Sequence, residues 1–159
     1  MRISWMEYFY KITELVSLRS TCLRRQVGAL AVKNNNILAT GYNGAPPGFV
    51  HCIDIGTCVR ETLKVPSGER HEICRAIHAE ENLIIQAALH GVCLKSCDIY
   101  ITHQPCVICV KKLIRLQPEN LYFKNKYPDP TAIEFLSGYF DFIDRPNHRN
   151  LYHLTKRKG

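Results

Sequence analysis

HAEENLIIQAALHG at residues 78–91 is followed by DIYITH at 98–103, PCVICVKKLIRL at 105–116 and NLYFK at 120–124. The first predicts a helix over Ala79–His90 that stops at Gly91, because glycine readily takes the left-handed conformation that closes a helix. The second and fourth are short runs rich in β-branched and aromatic residues, strands over Asp98–His103 and Asn120–Lys124. A helix over Cys106–Leu116 joins them. Helix, strand, helix and strand in succession mark an α/β sheet.

Working outward, apolar residues recur at helical spacing at Trp5, Tyr8, Phe9, Ile12, Leu15 and Val16. An amphipathic helix over Trp5–Leu18 is expected, with Trp5 and its neighbouring aromatics in the core. Val27–Lys33 and Ile37–Tyr42 read as a hairpin turning at Asn34-Asn35-Asn36. Residues 43–72 are irregular, broken by Pro46-Pro47-Gly48 and Pro66-Ser67-Gly68. A loop of that length in a compact domain is functional or tied down by something. A short helix from Thr131 and a strand near Tyr139–Phe142 complete the pattern. With no internal repeat or linker, one α/β domain is expected over residues 1–145. It has three layers, α/β/α, around a mixed sheet of about five strands. Residues 146–159 then form a loose basic tail, in which Lys156-Arg157-Lys158 is a true charge run.

Composition narrows the class. The 159 residues are 46% hydrophobic and 22% charged, ordinary for a globular protein. Glu7, Lys11 and Glu14 interrupt the first apolar residues, which excludes a signal peptide or membrane span there and implies a cytoplasmic location. In a reducing compartment eight cysteines point to metal ligation more than to disulfides. Cys93 and Cys97 lack nearby partners and read as small buried residues. The net charge of +7 favours a phosphorylated substrate or a nucleic acid.

The chemistry concentrates in His78-Ala79-Glu80 and Pro105-Cys106-Val107-Ile108-Cys109. Both stand at predicted helix starts, which an α/β arrangement brings together at the carboxyl edge of the sheet. Cys106 and Cys109 share one helical face, and His78 adds a third ligand. Three protein ligands leave a tetrahedral zinc one open position, the pattern of a catalytic site. Helix N-termini favour the thiolate forms. Glu80, two residues past the histidine, is placed to shuttle protons without ligating the metal.

This H-x-E with P-C-x-x-C resembles the zinc-dependent deaminases. Within that superfamily, Arg19-Ser20-Thr21-Cys22, Val27-Gly28-Ala29, Gly41-Tyr42-Asn43-Gly44-Ala45-Pro46 and His51-Cys52 resemble the deoxycytidylate deaminases. The resemblance runs from about Ile3 to Tyr127. It implies a cytidine-deaminase-like fold and hydrolysis of dCMP to dUMP and ammonia, which supplies dUMP for thymidylate synthesis. His78, Cys106 and Cys109 match the family's zinc ligands and Glu80 its proton shuttle. Asn43 matches a residue near the substrate sugar and phosphate, and Tyr127 one near the pyrimidine. Arg24 is a candidate phosphate partner, with Arg25 as alternative. Bland readings stand beside these: the glycines shape a turn, the arginines are solvated, and Tyr127 only packs.

The resemblance also implies a structural zinc at Cys22, Cys52 and His71, with Cys74 or Cys58 as fourth ligand. It further implies regulation at Gly41, Tyr42, Asn43 and Gly44, with dCTP activating, dTTP inhibiting and Mg2+ accompanying the nucleotide. A homo-oligomer, commonly a hexamer in related proteins, is expected, with no membrane partner. Two other readings remain: a deaminase of tRNA or single-stranded nucleic acid, and a zinc-structured nucleotide-binding module without turnover. The lack of aromatic–basic interleaving near the site disfavours a nucleic-acid partner.

Overall fold

The chain begins with helix α1 (Trp5–Ser17) and the hairpin of β1 (Gly28–Lys33) and β2 (Asn36–Tyr42). These come from a computed structural model that describes residues 1–143 and 150–159. Only Asn34 and Asn35 form the hairpin turn, each with φ near +50 to +60°, a conformation asparagine tolerates better than most residues. The irregular segment that follows holds two single-turn helices, α2 (Cys52–Ile55) and α3 (Val59–Thr62), and a 3-10 turn at His71–Ile73. Then come α4 (Ala79–Leu89), β3 (Asp98–His103), α5 (Val107–Arg115) and β4 (Asn120–Asn125). Helix α6 (Pro130–Tyr139), β5 (Phe140–Ile143) and β6 (Tyr152–Lys156) follow.

The strands form one mixed sheet in the order β2-β1-β3-β4-β6-β5. Only β3 and β4 among the ladders are parallel, as the intervening α5 requires. Ala29, Ala31, Ile99, Ile101, Leu121 and Phe123 face one side of the sheet, where Leu83, Val110, Leu113 and Leu136 of the helices pack on them. Leu30, Val32, Tyr100 and Tyr122 face the other side and meet Phe9 and Tyr10 of α1. The three-layer α/β/α architecture follows from strands that are apolar on both faces.

Three expectations need correction. Trp5 is not core: it opens α1, remains 47% exposed and stacks on Phe9, which is the buried ring. Cys93 is exposed, whereas Cys97 is buried as expected. The loose tail is also wrong over its later part, because Tyr152–Lys156 forms a sixth strand inside the sheet. His153 and Leu154 are buried there, and Arg157 donates to the Tyr139 carbonyl at 3.0 Å and pairs with Asp141 at 3.2 Å. A run of basic residues concealed a strand whose charges lie at its outer end. The expected domain boundary at 145/146 lies outside the described residues.

Candidate functional site

Helices α4 and α5 both begin near the carboxyl end of β3, and their first residues carry the ligands. His78 is the N-cap of α4 and Cys106 the N-cap of α5, both extended, with Cys109 in the first turn of α5. Glu81 accepts a hydrogen bond from the His78 backbone N–H at 3.2 Å, and its carboxylate also contacts Lys112 of α5. This pair ties the start of α4 to the last turn of α5. Asp129 does similar work from beyond β4, accepting from Val107 N–H at 2.8 Å and from Ala132 N–H at 3.0 Å. It therefore caps α6 and braces the start of α5 with one carboxylate.

His78 Nδ1 lies 3.6 Å from Cys106 Sγ and 3.3 Å from Cys109 Sγ. All three ligand atoms fall within 4.8 Å of one another. Zinc bonds of about 2.3 Å to sulfur and about 2.0 Å to nitrogen would give a tetrahedral N–S edge of about 3.5 Å. The donor set therefore fits zinc in both chemistry and spacing. The thiols share a proton unequally. A hydrogen bond from Cys109 brings the Cys106 pKa down to about 4, and the same bond pushes Cys109 up. Burial opposes ionisation of His78, but its bond to Cys106 and the nearby Glu80 carry its pKa above the ordinary value.

Glu80 sits in the first turn of α4 and is only 5% exposed. Burial raises its carboxyl pKa. It lines a cavity with His78, Cys106, His103, Gln104 and Tyr127. Arg25 closes over the Tyr127 ring at 4.7 Å and donates to Ser67 at 3.0 Å, while Gln104 donates to the Tyr127 carbonyl at 3.0 Å. Arg24 also lines this cavity, 3.6 Å from Glu61.

Asn43 lines it too, but its amide is largely engaged. Its oxygen accepts from Ser20 Oγ at 2.6 Å and Val27 N–H at 2.9 Å, and its nitrogen donates to the Arg25 carbonyl at 2.8 Å. Asn43 thus fastens the arginine-bearing segment to the start of β1. Gly41 has a packing reason of its own. A Cβ there would come within 2.3 Å of the Ala79 carbonyl, so glycine lets β2 approach the start of α4. Gly44 pairs with Ile77, and Tyr42 accepts from Asn82 at 2.8 Å through its carbonyl.

Cys22, Cys52, Cys58 and Cys74 line the same cavity. Cys52 and Cys58 are buried, and Cys22, Cys74 and Cys58 lie close enough to Cys52 to add to the upward shift that burial gives its thiol. His71 stands between groups, its ring 4.7 Å from that of His78, and burial lowers its pKa. Both its ring nitrogens are buried without a hydrogen-bond partner. His78, Cys106 and Cys109 form the one set of three ligand atoms within mutual reach of an ion among the described residues.

Residues 3–125 match the family described as the cytidine and deoxycytidylate deaminase zinc-binding region. The chain belongs to that family. Among its deaminase-family relatives, ComE operon protein 2 of Bacillus subtilis (strain 168) is 39% identical over 126 residues, 79% of this chain and 62% of that protein. The chain thus matches less than two thirds of that relative's length. The deoxycytidylate deaminase of Mycobacterium phage D29 is 36% identical over 113 residues, 68% of this chain and 84% of the phage protein. The crystal structure of dCMP deaminase from cyanophage S-TIM5 in complex with dCMP and dUMP superposes with a TM-score of 0.69 at 29% identity. The superposition covers 87% of this chain and 93% of that one. The zinc-binding site of this deaminase family corresponds to His78, Cys106 and Cys109 here. No helix among the described residues is long and apolar enough to cross a membrane.

Several residues of the site are not marked as such by the sequence: Arg60, Ser67, His103, Gln104, Glu81, Lys112 and Asp129. Asp129 had a signal, since Asp before Pro at a helix start is a strong N-cap pattern. Arg60 had none, standing in an irregular segment among other charges.

Proposed function

We propose that the protein is a zinc-dependent hydrolytic deaminase acting on dCMP, which with water becomes dUMP and ammonia. One observation carries this reading: a buried carboxylate, Glu80, shares a cationic cavity with His78 and Cys106 of a His-Cys-Cys ligand set. Zinc held by His78, Cys106 and Cys109 supplies Lewis acidity, making water acidic enough to ionise near neutral pH. Glu80 takes a proton from the attacking water and delivers it to the ring nitrogen next to the reacting carbon. It then takes the second proton, from the hydroxyl newly bonded to that carbon, and gives it to the amine, so that the carbonyl forms as the C–N bond breaks and ammonia leaves. Its raised pKa suits a group that must both accept and return a proton. Tyr127, held by Arg25 and Gln104, supplies an aromatic wall for the pyrimidine. Asn43 positions the segment that carries Arg24, which faces the phosphate.

Two further elements belong to this reading. A structural zinc at Cys22, Cys52, His71 and Cys74, with Cys58 as the competing ligand, is supported by the gathering of those thiols and the unsatisfied ring of His71. Control by dCTP and dTTP with Mg2+ at Gly41–Gly44 is supported by the family resemblance. An oligomer agrees with the exposure of Trp5, Tyr8 and Leu15 along α1.

The test is ammonia release by the zinc-loaded protein from dCMP, deoxycytidine, dCTP, tRNA and oligonucleotides. Fastest turnover of dCMP is expected, sigmoidal in dCMP and shifted by dCTP and dTTP through a coupling of about 1–3 kcal/mol. Faster reaction on tRNA or an oligonucleotide overturns the substrate. Superimposable hyperbolic curves with and without the triphosphates overturn the regulation.

A further inference from the structure

The cavity wall contains more positive charge than the proposed chemistry uses. Arg60, on α3, is 7% exposed, yet among the described residues its guanidinium has a single hydrogen bond, from Nη2 to the Pro66 carbonyl at 3.4 Å. Its Nε is buried without a partner. Arg24 repeats the pattern among the described residues: its Nη1 is buried and unpartnered, and only Glu61, at 3.6 Å from Nε, answers its charge. Both arginines line the cavity that holds Glu80, together with Arg25. Among the residues lining that cavity Glu80 is the one carboxylate, beside three arginines.

Burying an arginine with free N–H groups is costly unless an anion completes it. A structure that does so twice on one wall is preorganised for a ligand with several acceptor oxygens. Guanidinium matches phosphate better than any other side chain does, because its planar fork can donate two parallel bonds. Neighbouring α3 residues explain why Arg60 is fixed. Its backbone carbonyl accepts from Val65 N–H at 2.7 Å, and Nη2 holds Pro66, so the turn that follows α3 folds back over the side chain.

We infer that Arg60 is a specificity-determining residue of this site, binding the substrate's 5′-phosphate jointly with Arg24 and so selecting a nucleotide over a nucleoside. This rests on the proposed deamination of dCMP. Arg60 touches the phosphate, not the reacting ring, so its removal should act on selectivity before it acts on chemistry. A site built to pair a phosphate rejects the substrate that lacks one, because its own charges stay unmatched.

The experiment compares kcat/KM for dCMP and deoxycytidine in the wild-type protein, Arg60→Gln and Arg60→Lys, each with zinc content and circular dichroism recorded. Arg60→Gln should lower the preference for dCMP by about 10- to 100-fold, mainly through KM, on the scale of lost bonds to a charged group. Arg60→Lys keeps the charge without the fork and should lose less. Inorganic phosphate should inhibit the wild type competitively and Arg60→Gln more weakly. If Arg60→Gln fails to fold, the Lys variant and phosphate inhibition give the same comparison. Equal losses on both substrates, or an undiminished preference for dCMP, overturn the assignment to Arg60. A wild-type protein that shows no preference for dCMP overturns the substrate reading instead.

Discussion

The metal-ligand cluster, through His78 and Cys106, and the segment from residue 43 to residue 77 border the same cavity but are held by different means. The ligands stand at the starts of α4 and α5, which are pinned to the sheet by Leu83, Val110 and Leu113, each at most 2% exposed. The segment has two helices of four residues each, and Phe49, Val50, Ile53 and Leu63 are all at least half exposed. Its buried apolar residues are mostly Cys52 and Cys58. Ligand geometry is therefore a property of the fold itself. The arginine-bearing wall depends instead on individual fasteners such as Asn43 and Arg60, and on whatever the cysteines hold. Chemistry is built on the rigid part, and selectivity on the part that a few side chains keep in place.

That contrast can be broken from the rigid side first. Glu80→Gln preserves shape and hydrogen bonding but cannot carry the proton. Turnover of dCMP should fall by about 10²–10⁴-fold or more, with zinc content and melting temperature nearly unchanged. Near wild-type turnover would show that the proton travels by another route. On the other side, Cys52→Ser should halve a zinc content of two per chain and make residues 43–77 markedly more sensitive to limited proteolysis. The sheet should remain protected from hydrogen exchange. Elemental analysis that finds one zinc in the wild type removes the structural ion and leaves the segment held by protein contacts alone. The smallest effect sharpens the comparison within the rigid part. Asp129→Ala deletes a helix cap and the acceptor for Val107, which should cost about 1–2 kcal/mol. A thermal melt should register that as a fall of about 3–6 °C, with the metal retained. Loss of zinc in Asp129→Ala would mean that the start of α5 is far less secure than its packing indicates.

Much of this was legible in the sequence where backbone period and residue chemistry agree. Helices α4 and α5 and strands β3 and β4 lie within a residue or two of their expected positions, because apolar spacing and Gly91 mark them. His78, Cys106 and Cys109 converge because both helices start at one sheet edge. Legibility failed where a residue's place depends on distant partners. The turns at α2 and α3 are too short to have a period, and Arg60 acquires meaning only when the chain folds it into a cavity wall. Trp5 carried the right spacing but sits at the helix end, where the stripe runs past the sheet. The strand β6 was hidden by the opposite error, since the charge of Lys156 and Arg157 outweighed the alternation of Tyr152, His153 and Leu154.

The position of β6 sets an order on folding. Among the described residues it is the last of six strands, yet it lies between β4 and β5. Before it arrives, β4 offers an open edge and β5 has no neighbouring strand, since each pairs there only through β6. An emerging chain therefore carries its ligands and most of its core while one hydrogen-bonding edge stays exposed, the kind of edge that invites pairing with another copy. Insertion of a strand between two others is a non-local step that cannot begin until Tyr152–Lys156 has been synthesised. A premature stop anywhere after Ile143 and before Tyr152 would thus spare every proposed catalytic residue and still leave a chain prone to aggregate.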